Sequence, residues 1–323
     1  MTMAREIGSE FHRMPFENGR GLALPLSGSL VFSGRTAIEA VLKRIPDAHT
    51  ALLPSYCCDS MIVPFRNAGI KVKFYQVDWD DGLRIEINGS ADILLWCNYF
   101  GFKNAMPDFT GVIIEDITHS LLSESPCHPR SDFLVASLRK WEPISCGGYC
   151  SVEVEGAPPS DEFVKLKTAA MELKTKYLKD GDKEKKDKYL HMFADSNHWL
   201  AENYSGRIID PFSRDYLERI DVEKQREKRR NNARVLYEGL INNVQFMFSE
   251  KDMDCPLFVP ILVPHRNEVR AHLTKNEIYC PVHWPRPEGC ESNIYEQELS
   301  LICDQRYGTE DMKRIVSVIK EVI

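Results

Sequence analysis

Four short runs of almost wholly apolar residues constrain this 323-residue chain more than any other feature: Ala51 to Leu53, Ile93 to Trp96, Val112 to Ile114 and Phe133 to Ala136. Consecutive apolar residues do not alternate, so a strand made of them is covered on both faces. Helical spacing fills the intervals. Ile38, Val41, Leu42 and Ile45 fall at i, i+3, i+4 and i+7, and residues 58–68 read as a helix stopped by Gly69. Further strands are expected at 72–77 and 149–154. Buried strands separated by helices predict an α/β fold, with a mostly parallel central sheet sandwiched by helices.

The second half of the chain is patterned differently. Asp161 to Leu190 is Lys-rich and reads as a solvated helix surface, and 213–243 reads as one long helix. Its run Gln225 to Arg230 is interleaved with acidic residues and is likewise expected to face solvent. A strand at 257–263 and helices at 267–276 and 310–322 complete a smaller α+β part. The expected division is an N-terminal arm over 1–27, a large domain over 28–210 and a small domain over 211–323.

Composition excludes several partners. The 41 Lys+Arg against 48 Asp+Glu give a formal charge of −7, which supplies no general attraction to nucleic acid or anionic membranes. Residues 1–20 hold no long apolar stretch, and nowhere do about 18 uncharged apolar residues run together, so neither export nor a membrane span is expected. Ten scattered cysteines without a Cys-x-x-Cys pair read as reduced thiols, which points to the cytoplasm. Cys146 and Cys150 are spaced like half a zinc site, but no second half accompanies them and no metal is expected.

Three segments follow strands, where an α/β sheet places its ligands. Ser33-Gly34-Arg35-Thr36 opens a helix, whose free N–H groups and dipole suit a phosphate; the same residues also read as a simple cap by Ser33. Glu115-Asp116-Ile117-Thr118-His119 puts a carboxylate at a buried strand end, where it needs a specific partner. Asp116 and His119 read as an acid–base pair, as metal ligands, as holders of a heterocyclic cofactor, or as a capping Asp beside a surface His. Ser137-Leu138-Arg139-Lys140 places a lysine beside another cation, ahead of Gly147-Gly148. Such a lysine has its pKa lowered and can take an aldehyde; an ordinary loop lysine is the alternative. An anion cradle, a strand-end aspartate and a strand-end lysine meet the three needs of pyridoxal phosphate.

On these residues the chain resembles the fold-type I pyridoxal-phosphate enzymes, and within them the DegT–StrS sugar aminotransferases, over residues 28–155. Ser33-Gly34-Arg35-Thr36-Ala37 is similar to the family's phosphate turn, and Glu115-Asp116-Ile117-Thr118-His119 to its Glu-Asp-x-x-His/Gln signature. Asn98-Tyr99-Phe100-Gly101 resembles its His-x-x-Gly stretch. Lys140 stands seven and eight residues before Gly147 and Gly148, the family's spacing from the cofactor-linking lysine to its Gly-Gly. Pro54-Ser55-Tyr56-Cys57-Cys58 resembles the turn carrying the ring-covering aromatic; Cys58 takes that position and Tyr56 lies two residues earlier. The family's Ser-Phe-His lead-in is replaced by Ser137-Leu138-Arg139-Lys140, with Ser137 as the expected phosphate ligand.

The resemblance implies pyridoxal 5'-phosphate as cofactor and an aminotransferase acting on an amino donor and a keto acceptor, such as a nucleotide-linked keto sugar. Lys140, Asp116 and His119 are implied as catalytic, and Ser33, Gly34, Arg35, Thr36, Tyr56, Cys58 and Ser137 as cofactor-binding. His283 and Arg306 are the substrate candidates, Arg306 because a planar guanidinium grips a carboxylate bidentately. A homodimer is implied, with Asn203-Tyr204 as the candidate stretch reaching a neighbouring subunit. Rival readings are a lyase, aldolase or amino-acid transaminase on the same cofactor, or a non-catalytic protein that keeps the fold.

Overall fold

The computed structural model describes residues 6–102 and 105–323, so Met1 to Arg5 of the expected arm lie outside them. In chain order the first part holds β1 (Ile7–Gly8), β2 (Ser29–Val31), α1 (Gly34–Leu42), β3 (Thr50–Pro54), α2 (Asp59–Asn67), β4 (Lys71–Trp79), β5 (Leu83–Glu86), β6 (Ile93–Cys97), β7 (Val112–Asp116), β8 (Phe133–Ser137) and β9 (Gly148–Cys150). A helical hairpin follows, α3 (Asp161–Asp180) and α4 (Lys183–Glu202). The rest holds α5 (Pro211–Leu217), α6 (Val222–Leu240), β10 (Gln245–Phe246), β11 (Val259–Leu262), α7 (Arg266–Lys275), β12 (Ile278–Tyr279), α8 (Ile294–Gln297), β13 (Glu298–Leu301) and α9 (Thr309–Lys320).

Eight strands form the central sheet in the order β2-β9-β8-β7-β6-β3-β4-β5. β8, β7, β6, β3 and β4 pair in parallel, while β9 is antiparallel to both β2 and β8, and β5 to β4. Every residue of β6 is buried, as the apolar run requires of a strand covered on both faces. From β3 the chain goes outward to β4, then returns to the other side of β3 to lay down β6, β7 and β8. That reversal opens a crevice at the carboxyl ends of the strands.

Three sequence expectations are corrected. The helix expected over 213–243 is two helices, because Asp221 caps a new start by accepting from the Lys224 N–H. The basic run within α6 does not all face solvent: Arg229 is fully buried, donates to the carbonyls of Pro256 and Leu257 and to Gln305, and lies 4.4 Å over the Trp141 ring. Nor is the Lys-rich hairpin solvated throughout. Lys174 is buried with its Nζ 2.8 Å from Glu6 Oε1, and Lys167 is buried on Asn197.

Beyond the hairpin, β10, β11 and β13 form an antiparallel sheet. β1 pairs in parallel with β12, which stitches the start of the arm to the C-terminal part. No described helix is long and apolar enough to cross a membrane.

Candidate functional site

The crevice gathers most of the residues singled out by sequence. A cavity of about 250 Å³ at the strand ends is lined by Ser33, Gly34, Arg35, Cys58, Asp116, His119, Ser137 and Lys140. These come from the ends of β2, β3, β7 and β8, so the parallel sheet itself brings distant segments together. Two glycines make the approach possible. A Cβ on Gly148 would stand 2.3 Å from the Ser33 carbonyl oxygen, and one on Gly34 would stand 3.3 Å from Ser137 Cβ. β9 and the end of β8 therefore lie directly against the head of α1.

At that head the capping reading of Ser33 is realised. Its Oγ accepts from the Thr36 N–H at 3.2 Å and its carbonyl from the Ala37 N–H at 2.9 Å. The N–H groups of Gly34 and Arg35, the first of the helix, remain to face an anion. Thr36 points away from the cavity: its Oγ1 donates to the Tyr204 carbonyl at 2.7 Å, and Tyr204 Oη accepts from Asn67 at 2.7 Å. Tyr204 is thus tied to this chain's own α1 and α2.

Asp116 is buried, and its Oδ1 accepts from the Thr118 N–H at 2.8 Å. Burial raises its pKa, with the Thr118 hydrogen bonds opposing. Thr118 also joins the two strand ends, since its Oγ1 accepts from the Ser137 N–H at 2.9 Å and its carbonyl from Trp141 Nε1 at 2.6 Å. His119 is buried rather than a surface residue. Its Nδ1 accepts from the Phe100 N–H at 3.0 Å, so the proton of the neutral ring sits on Nε2. Burial, with His283 and Lys140 nearby, holds its pKa well below the usual histidine value.

Lys140 ends the 3-10 turn Leu138–Lys140 that follows β8. Its side chain is solvent-accessible yet has protein around it. Desolvation lowers its pKa, Arg139 and Arg35 lower it further, and Cys58 and Glu10 oppose. Cys58 lines the cavity with its Sγ 2.8 Å from Ser60 Oγ. Tyr56 does not line it; this ring is buried among Tyr99, Trp284 and Tyr295. The aromatic lining the cavity is Trp284, 5.8 Å from the His119 ring at 26°. Trp284 directly follows the substrate candidate His283 in sequence, and nothing in its spacing marks it for the inner cavity.

Arg35, Arg139 and Lys140 also border an outer cavity of about 620 Å³, which His283 and Arg306 line from the C-terminal part and Ser9 to Phe11 from the arm. His283 is held by Ser300 Oγ at 2.8 Å and by its own N–H donating to Glu298. Arg306 clamps Asp304 through Nε and Nη2 at 2.9 and 2.7 Å. Its Nη1 donates to the carbonyls of Ser9 and Glu10, and its guanidinium covers the Phe11 ring at 4.2 Å. Arg306 therefore anchors the arm. All ten cysteines are unbridged, and among the described residues no group of three or more His, Cys, Asp or Glu is arranged to hold a metal ion.

The architecture is that of the fold-type I aminotransferases: a large, mostly parallel sheet between helices, with the candidate site at its carboxyl edge. Solved structures similar to it include the apo form of Spr1654, a candidate sugar aminotransferase of Streptococcus pneumoniae. It is 16% identical, with 91% of this chain and 85% of that one covered at a TM-score of 0.64. The sugar aminotransferase CalS13 of Micromonospora echinospora is 14% identical, with 91% and 87% covered at 0.62. A DegT DnrJ EryC1 StrS aminotransferase of Brucella abortus is 15% identical, with 91% and 85% covered at 0.59. At these identities the likeness is one of fold. No family model and no curated protein matches the sequence.

Proposed function

We propose that the chain is a pyridoxal-phosphate-dependent aminotransferase, moving an amino group from an amino acid to a keto acceptor such as a nucleotide-linked keto sugar. One observation carries this reading: Asp116, Lys140 and the Gly34–Ser137 cradle line the same cavity. Those residues fit the cofactor. The cradle is narrow because a Cβ would fill it, it offers helix-terminal N–H groups, and a buried carboxylate and an amine complete the donor set. The pyridoxal-phosphate form of Spr1654 shares the fold at a TM-score of 0.61, which supports the same choice.

When bound, pyridoxal phosphate supplies an aldehyde that captures amines and a protonated ring that withdraws electrons from the reacting carbon. Gly34, Arg35 and Ser137 would hold its phosphate, and Asp116 its ring nitrogen. A cationic partner there offsets the desolvation that raises the Asp116 pKa. Lys140, whose lowered pKa favours the neutral amine, would take the aldehyde and then carry a proton from and to the substrate carbon. His119, neutral and fixed through Nδ1, would keep its Nε2–H directed at the ring or its substituents.

With this function we propose the division into a large domain over 28–210 and a small one over 211–323, a homodimer, and a cytoplasmic location. The test is colour. Reconstituted with pyridoxal phosphate the protein turns yellow, Lys140→Ala stays colourless after desalting, and L-glutamate bleaches the wild type as the cofactor becomes pyridoxamine phosphate. A wild type that takes up no cofactor overturns the reading, and one that stays yellow with every amino donor overturns the aminotransferase assignment.

A further inference from the structure

The arginines around the outer cavity divide by how fully they are bonded. Arg306 is committed: Asp304 takes Nε and Nη2, and two arm carbonyls take Nη1. Arg229 is largely committed: both its Nη atoms are bonded and its plane lies on Trp141, and only its buried Nε has no hydrogen-bond partner. Arg139 differs. Its Nε is likewise buried without a hydrogen-bond partner, but among the described residues its Nη atoms make no hydrogen bond either and its guanidinium forms no ion pair. The nearby carboxylate of Glu10 is already engaged by Asn197 at 3.1 Å and Lys167 at 4.0 Å.

Position adds a second argument. In an amino acid the α-carboxylate is bonded to the carbon that carries the amine, so its binding group must stand beside the lysine that the amine displaces. Arg139 is the neighbour of Lys140 and, like it, borders both the inner and the outer cavity, whereas Arg306 lines only the outer one. Arg35 borders both too, but it stands at the head of α1, where the phosphate cradle lies. A planar guanidinium with unused donors is the group best shaped to take both oxygens of a carboxylate.

We propose that Arg139, rather than Arg306, grips the α-carboxylate of the amino donor. The assignment rests on the aminotransferase reading above. It gives a role to the residue that replaces the usual lead-in to the lysine, and it leaves Arg306 as an anchor of the arm.

The experiment compares the holoenzyme with Arg139→Ala, Arg139→Lys and Arg35→Gln. Cofactor affinity is read by titrating pyridoxal phosphate, and donor binding by the bleaching produced by L-glutamate. The matched probe is 4-aminobutyrate, which lacks only the α-carboxylate. Arg139→Ala is expected to raise the half-saturating glutamate concentration about ten- to a hundredfold, the loss of a charge-assisted bidentate contact. Cofactor affinity, melting temperature and any response to 4-aminobutyrate stay as in the wild type, and Arg139→Lys lies between. A loss of cofactor affinity with unchanged glutamate dependence would make Arg139 a phosphate ligand and overturn the proposal. So would a glutamate defect in Arg35→Gln but not in Arg139→Ala, or no change in either. Failure of the functional reading is seen separately, because the wild type itself then binds no cofactor or never bleaches.

Discussion

Gly34, at the head of α1, faces Ser137, at the end of β8, so closely that a Cβ on the glycine would stand 3.3 Å from the serine Cβ. The pair closes one end of the candidate cofactor cavity from two elements about a hundred residues apart in sequence. Gly34 lies in the helix and carries no left-handed φ, so alanine there is conformationally acceptable and a better helix former. Gly34→Ala is therefore expected to leave the melting temperature unchanged or slightly raised, while weakening pyridoxal phosphate about tenfold, roughly 1.4 kcal/mol. Gly34→Val should lose more. Equal cofactor affinity in both variants, measured by absorbance titration, would remove the cradle from the site.

The same geometry explains what the sequence made legible. Apolar runs located β6, β7 and β8 at 93–96, 112–114 and 133–136; β7 and β8 continue to polar ends at Asp116 and Ser137, and β6 continues to Cys97. Hydrophobicity stops one or two residues short because those last positions line the cavity, which is also why the site was readable as strand-end motifs. What was missed lacks a local signal. β5 alternates half-buried and exposed residues at the sheet edge, and β1, β10 and β12 are two residues long. Lys174 reads as a surface lysine because its partners Glu6, Gly8 and Glu10 lie more than 160 residues away. Trp284 enters the cavity from the C-terminal part, and no spacing rule within 33–140 could include it.

The environment of Lys140 sets a pH dependence. Desolvation by the surrounding protein, Arg139 and Arg35 favour the neutral amine, so its pKa lies below the ordinary 10.5. At fixed pyridoxal phosphate, the rate of yellow colour formation should rise with pH and level off at a midpoint below 10.5. Removing a cation makes the ammonium easier to keep, so Arg35→Gln moves that midpoint up. Removing Cys58, whose negative form supports the ammonium, moves it down in Cys58→Ala. Stopped-flow absorbance at saturating cofactor checks both signs, and shifts in the reverse directions would show that these groups do not face the lysine.

Glu142, two residues after Lys140, is buried, and neither carboxyl oxygen makes a well-formed hydrogen bond, Gln225 being only a weak partner. Burial raises its pKa from 4.5 to about 8, against the pull of Arg229. A carboxyl with a raised folded pKa contributes stability that is complete below its unfolded value and lost as pH rises through the folded one. Stability should thus decline between about pH 4.5 and 8 through this residue, each unit of pKa difference being worth about 1.4 kcal/mol. Glu142→Gln keeps the shape without the titration. It should match the wild type near pH 5 and exceed it at pH 8 in urea unfolding. A variant no more stable than the wild type at pH 8 would place the Glu142 carboxyl in its ordinary range.

Asp304 and Arg306 hold the arm against the outer cavity, with both side chains buried and their atoms 2.7 Å apart. Burial pushes the Asp304 carboxyl up, but the adjacent Arg306 guanidinium and its hydrogen bonds outweigh this and hold it below the ordinary value of 3.8. A lowered carboxyl contributes stability that is present above its unfolded pKa and lost as pH falls through the folded one, so this clamp weakens only in acid. Removing one partner leaves an uncompensated buried charge, which costs about 3–5 kcal/mol. Asp304→Asn is expected to lose that much in urea unfolding at pH 7, to lose less at pH 3, and to expose the arm, whose Ser9 and Glu10 carbonyls bond Arg306, to limited proteolysis. If the arm stays protected and the variant is as stable as the wild type, Arg306 is not its anchor. It would then compete with Arg139 for the donor carboxylate.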